Sequence, residues 1–140
     1  MTPRKSIPGE SAFMSKLIII GFGGFTGALV RYGMSGFVQA LSKNLTFPFG
    51  TLTINLFGCL LIGALSQFIE TQASFPADVR DFIFIGLLGA FTTFSTFSNE
   101  TFVLMQRGDM LLAFENIGMH LIFGLGAVWL GRVTMAQFIT

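Results

Sequence analysis

Four long gaps between charged residues constrain this chain more than anything else in it. From Leu17 to Ser42 the only charge is Arg31, and from Asn44 to Ile69 there is none. From Phe82 to Gln106 only Glu100 interrupts; from Asn116 to Thr140 only Arg132 does, with His120 as a further titratable group. About twenty apolar residues in helical conformation cross the hydrocarbon core of a bilayer. Inside that core every backbone N–H and C=O must find a partner within the protein, which helices provide. The four gaps therefore predict an all-α integral membrane protein with four transmembrane helices. Composition agrees, because 11% of the 140 residues are charged, where a soluble domain carries about a quarter. A net charge of +1 makes no electrostatic case for nucleic acid. The single cysteine, Cys59, excludes a disulfide framework and any multi-thiolate metal site.

The segments between the gaps carry turn chemistry: Lys43–Pro48, Thr71–Asp81 with Pro76, and Arg107-Gly108-Asp109. Residues 1–16 read as a polar N-terminal tail, and residues 17–140 as a single four-helix membrane domain. With four spans, the N-terminus, the second loop and the C-terminus share one side of the membrane. That side holds Arg4, Lys5, Lys16, Arg80 and Arg132; the other holds Lys43, Arg107 and Arg31, the last by snorkelling. The bias of Lys and Arg sets orientation. Here it is five against three, or three against three without Arg4 and Lys5, so two readings stand open: N-terminus inside, or insertion both ways.

Polar groups at membrane depth are costly and point to function. Thr51 and Asn55 lie four apart and share one helix face. Asn55 is either interhelical glue or a donor lining a polar cavity. The third span runs Gly86-Leu-Leu-Gly89-Ala-Phe-Thr92-Thr93-Phe94-Ser95-Thr96-Phe97-Ser98-Asn99-Glu100. Its glycines and hydroxyl residues weaken helix propensity in mid-span. A break near Gly89–Thr92 would free carbonyl oxygens that suit a hard cation. Phe94 and Phe97, three apart, share a face beyond that break, while Ser95 with Asn99 and Thr96 with Glu100 form spaced polar pairs. The competing reading has the hydroxyls bonding back to the preceding turn and the rings facing lipid. The glycines of the first two spans, Gly21, Gly23, Gly24 and Gly27 and then Gly50, Gly58 and Gly63, read as close helix packing. His120 reads most simply as a neutral core imidazole, and Glu100 as an interfacial carboxylate.

The block Gly89-Ala-Phe-Thr-Thr-Phe-Ser-Thr-Phe97 resembles the signature of the Fluc (CrcB) family of fluoride channels. Gly24-Phe-Thr-Gly-Ala-Leu-Val-Arg31-Tyr and Gly50-Thr-Leu-Thr-Ile-Asn55-Leu-Phe-Gly58 agree with it. The fourth span fits more loosely, through Asn116, His120 and Val128-Trp-Leu-Gly131. The resemblance implies an antiparallel, dual-topology homodimer of four-helix subunits in a bacterial inner membrane, with the third helix broken. It implies a structural sodium ion held by the backbone carbonyls of Gly89 and Thr92. It further implies a fluoride pathway along Phe94, Phe97 and Asn55, with a polar track of Thr51, Ser95, Thr96 and Glu100, and with His120 and Arg31 in support. Gly124 and Val128 stand where some relatives carry hydroxyls, which shortens or hydrates that track. Two other classes remain open: a small dual-topology exporter coupled to protons through Glu100, and a non-transporting assembly subunit of the membrane.

Overall fold

The computed structural model describes residues 9–44, 46–71 and 75–139. Residues 1–8 of the tail expected over 1–16 lie outside that range, as do three residues of the second linker, 72–74; residues 10–16 belong to the first helix. Every regular element among the described residues is helical: α1 (Glu10–Ser42), α2 (Phe49–Thr71), α3 (Ala77–Arg80), a wide-turn π segment π1 (Asp81–Leu88), α4 (Gly89–Phe91), α5 (Phe94–Gln106) and α6 (Met110–Ile139). Elements α3 to α5 together make the third long apolar stretch, Ala77–Gln106, so four stretches are long and apolar enough to cross a membrane. The chain is a multi-pass membrane protein.

The first helix starts seven residues earlier than the apolar run does. Glu10 sits in its first turn, where a carboxylate complements the positive end of the helix. At about 1.5 Å per residue a helix of 33 residues outruns the hydrocarbon core, and its residues Glu10–Lys16 are all exposed. It ends at Lys43, whose left-handed backbone (φ 52°) turns its amide back to the Ala40 carbonyl. The side chain of Gln39 then ties the loop to α2, accepting from the Gly50 amide at 3.0 Å and donating to the Phe47 carbonyl at 3.1 Å. Between α5 and α6, Gly108 has a φ of 86°. Its amide bonds the Met105 carbonyl, and the Asp109 amide the Leu104 carbonyl, each at 3.0 Å. This is the glycine-dependent helix stop that Arg107-Gly108-Asp109 announces.

Two intimate crossings hold the bundle. α2 packs along α6, and α1 packs along π1. At the first, a Cβ on Gly63 would overlap the Val128 carbonyl, and one on Gly131 would overlap the Leu60 carbonyl. At the second, a Cβ on Gly23 would lie 2.6 Å from the Phe82 carbonyl, and one on Gly86 2.7 Å from the Ile20 carbonyl. Backbones meet where lipid offers no hydrophobic drive between helices, so small residues there let dispersion do the packing. Gly21 and Gly24 take no part; nothing lies within 4 Å of a Cβ built on either. Two ion pairs, Lys16 with Asp81 at 3.5 Å and Arg132 with Glu70, sit at the end of the bundle where α1 begins and α2 and α6 finish.

Candidate functional site

The third stretch contains the structural anomaly. After Phe91 the helix stops, with Thr92 at φ −87°, ψ 156° and Thr93 at φ −150°, ψ 113°. Gly89, expected at the break, is helical at φ −63°, ψ −35°; the extended residues are the two threonines after it. In an unbroken helix the Thr93 amide would bond the Gly89 carbonyl, and the Thr96 amide the Thr92 carbonyl. Instead Thr93 N donates to Asn55 Oδ1 at 2.9 Å. Thr96 N donates to Thr93 Oγ1 at 3.1 Å, so Thr93 is the N-cap of α5. The carbonyls of Gly89 and Thr92 have therefore lost the amides that a continuing helix would aim at them. Thr92 keeps its own amide and hydroxyl on the Leu88 carbonyl, each at 3.0 Å.

Asn55 grips both sides of Thr93, because its Nδ2 also donates to the Thr93 carbonyl at 3.2 Å. The second Nδ2 hydrogen faces His120 Nε2 at 3.1 Å. One turn N-terminal on the same face of α2, the Thr51 hydroxyl donates to Glu100 Oε1 at 2.7 Å. The shared face expected of Thr51 and Asn55 is thus turned onto the third stretch. Glu100 takes Thr51, rather than its neighbour Thr96, as partner. Glu100 Oε2 and Asn116 Oδ1 are buried with no hydrogen-bond partner among the described residues.

Two cavities meet at Thr93. The larger, about 740 Å³, collects Arg31, Arg107, Thr51, Thr96 and Glu100 beneath the loop that starts α2. The smaller, about 310 Å³, is walled by Asn55, Thr92, Phe94, Phe97 and His120. The Phe94 and Phe97 rings lie 5.7 Å apart, and Phe97 leans on the His120 ring at 4.2 Å. Phe94 is 79% exposed. Ser95 borders neither cavity; it points outward, with its hydroxyl 3.3 Å from Thr93 Oγ1. Gly89 borders neither. Some hydroxyls of α5 do bond back to the preceding turn, Ser98 to Phe94 O and Thr101 to Phe97 O.

Sequence reasoning gave no role in the site to three of its residues. Thr93 is the N-cap and junction, signalled by its place before the Ser95-Thr96 pair. Asn116, fully buried, donates to Thr101 Oγ1 at 2.9 Å; the Gly108 turn midway between them was the available signal. Arg107 joins Arg31 in the larger cavity because α5 ends where α1 passes.

The family model for "CrcB-like protein, Camphor Resistance (CrcB)" matches residues 18–132. A protein of Methanosarcina acetivorans named fluoride-specific ion channel FluC 1 is 41% identical over 86% of this chain and 91% of its own. The fluoride-specific ion channel FluC of Hydrogenovibrio crunogenus is 41% identical over 92% of this chain and 97% of its own. The FluC of Shewanella loihica is 44% identical over 85% and 94% respectively. With the family model covering all four apolar stretches, this chain belongs to the CrcB family.

Proposed function

We propose that the chain is the subunit of a passive, fluoride-selective channel of the cell membrane, and no enzyme. The observation that carries this reading is the interruption at Thr92–Thr93, held by Asn55 inside an otherwise apolar stretch. Irregular backbone at membrane depth is tolerated only where protein buries it or where it lines a cavity. A helix cut in two has two useful ends. The carboxyl end of the first half presents carbonyls and suits a cation; the amino end of the second presents amides and suits an anion. The names of the relatives supply the anion.

The carbonyls of Gly89 and Thr92, deprived of their helical amides, fit a sodium ion, since hard cations take oxygen ligands. Such an ion would supply a fixed positive charge at the break. The anion's own route runs from the cavity of Arg31 and Arg107, whose cations draw it in, past Thr51, Thr96 and Glu100. It continues to Phe94 and Phe97. A small, strongly hydrated anion gives up water only to fixed donors, which hydroxyls and the positive edges of aromatic rings provide. Asn55 contributes as a latch: its donors are already spent on Thr93 and His120, so it shapes the wall and leaves the solvation of the anion to others.

A second, antiparallel copy completes the wall. Phe94, Ser95 and Thr96 all face outward, and hydroxyls turned to lipid are disfavoured. Without Arg4 and Lys5, Lys and Arg divide three against three between the two ends, a balance that lets both orientations insert. Passive conduction suffices for detoxification. HF enters neutral and dissociates in the less acidic cytoplasm, and an inside-negative potential then drives the anion out by about 2.3 kcal/mol per 100 mV. Fluoride efflux from liposomes tests the reading. A channel releases fluoride with no proton gradient; an exporter working through Glu100 needs one, and an assembly subunit releases none.

A further inference from the structure

We infer that His120 is a positioning residue for conduction: its ring fixes the amide of Asn55 on one side and the face of Phe97 on the other. The inference rests on the reading that Phe94, Phe97 and the latched break form the pathway.

Directionality makes the argument. The Asn116 backbone carbonyl can only accept, so at 2.9 Å from it His120 Nδ1 carries the ring proton. A neutral imidazole protonated at Nδ1 has a bare lone pair at Nε2. That lone pair faces Asn55 Nδ2 at 3.1 Å, and the amide donates into it. The orientation of Asn55 is settled independently. Its Oδ1 faces a backbone N–H of Thr93, which can only donate, and its Nδ2 faces the Thr93 carbonyl, which can only accept. Every assignment agrees, and the bonds run one way. Thr93 N–H gives to Asn55, Asn55 to His120, and His120 to the Asn116 carbonyl. From the same residue, the Asn116 side chain gives to Thr101 Oγ1 at 2.9 Å, and that hydroxyl to the Phe97 carbonyl at 2.8 Å.

The chain of bonds thus leaves the third stretch at Thr93, crosses α2 and α6, and returns to it one turn after Phe94. It encloses the Phe94–Phe97 turn. His120 is the member whose ring itself takes part in the bonds, and that ring's centroid lies 4.2 Å from that of Phe97, close enough to set the angle at which Phe97 presents its edge. One side chain therefore governs two elements of the pathway without bonding the anion itself. In water a histidine exchanges both tautomers; here the Asn116 carbonyl selects the one that leaves Asn55 an acceptor.

The test compares fluoride efflux per reconstituted chain for the wild type, His120→Leu, His120→Gln and Phe97→Ile, with a single chromatographic peak as the folding control. Loss of both hydrogen bonds of the ring, with Asn55 Nδ2 and the Asn116 carbonyl left unpaired, predicts efflux lower by about tenfold or more for His120→Leu. His120→Gln restores an acceptor for Asn55 and a donor for Asn116, and its efflux stays within about threefold of wild type. Nitrogen-15 spectra of histidine-labelled wild type in bilayers should show Nδ1 protonated and Nε2 bare, a readout that stands even if His120→Leu does not fold. The inference is overturned by an Nε2-protonated ring, by His120→Gln falling as far as His120→Leu, or by wild-type efflux in His120→Leu while Phe97→Ile is impaired. Wild-type efflux in Phe97→Ile overturns the pathway reading instead, and this inference falls with it.

Discussion

Asn55 commits its whole amide to its own protein, one oxygen and two hydrogens on three partners. A side chain so saturated tolerates no change of donor pattern. Asn55→Asp removes both donors and sets a carboxylate against the Thr93 carbonyl and the bare Nε2 of His120, with no Lys or Arg lining the smaller cavity. Fluoride efflux should fall by about tenfold or more, because an unpaired buried polar group costs about 1–3 kcal/mol and a charge costs more. The rings give a sharper comparison. Phe94→Ile and Phe97→Ile keep a large apolar side chain but lose the positive ring edge, so efflux should drop while the protein stays homogeneous. If the rings only pack, the same variants lower stability and leave efflux per folded chain unchanged. Thr96→Val should impair efflux as well, since it deletes a hydroxyl that borders the cavity of Arg31 and Arg107.

The third stretch differs from its neighbours in being four helical segments, one of them the π turn, with an interruption before the last, rather than one helix. Its location was legible, because Gly89 and the run of Thr and Ser lower helix propensity together. Its register was not. Composition cannot say that Gly89 stays helical while Thr92 and Thr93 extend, since that depends on Asn55, 38 residues away, offering a better partner than the Gly89 carbonyl. The π turn of Asp81–Leu88 carries no residue signature either; close approach of Gly23 to Gly86 goes with it, and that crossing is a tertiary fact. The Gly-rich packing of α1 and α2 was legible in kind, but which glycines touch a neighbour was not, as Gly21 and Gly24 show. Two expectations follow for these elements. Gly63→Val or Gly131→Val drives a side chain into the facing backbone and should cost at least about 1–3 kcal/mol, read as a lower unfolding temperature in detergent. Gly124→Ala, whose new methyl would sit 3.7 Å from Cys59 Sγ, should be close to neutral. At Gly89 a Cβ meets only the Phe84 carbonyl, at 3.4 Å. Gly89→Val should therefore spare the fold of the single chain and, if the carbonyl faces a central ion, abolish the dimer. Thr92→Ser keeps that carbonyl and should be milder.

Without Arg4 and Lys5, the two ends of the bundle carry equal numbers of basic residues: Lys16, Arg80 and Arg132 at one, Arg31, Lys43 and Arg107 at the other. On the proposed reading, that balance gives the insertion machinery no end of the bundle to hold back. A cysteine placed in the Arg107–Asp109 turn of a Cys59-free protein should therefore be labelled from both sides of a sealed membrane; labelling from one side alone would refute dual topology. The same bundle leaves Phe94, Ser95 and Thr96 exposed on its outside, and in the proposed antiparallel dimer they would wall an anion path driven by the gradient alone. The reversal potential of the reconstituted protein in a planar bilayer measures that property directly. Under a tenfold fluoride gradient opposed by an equal chloride gradient, with pH equal on both sides, current should reverse near the fluoride equilibrium potential, about 59 mV from zero. A reversal that follows chloride, or no current until a proton gradient is applied, would contradict a passive fluoride-selective channel.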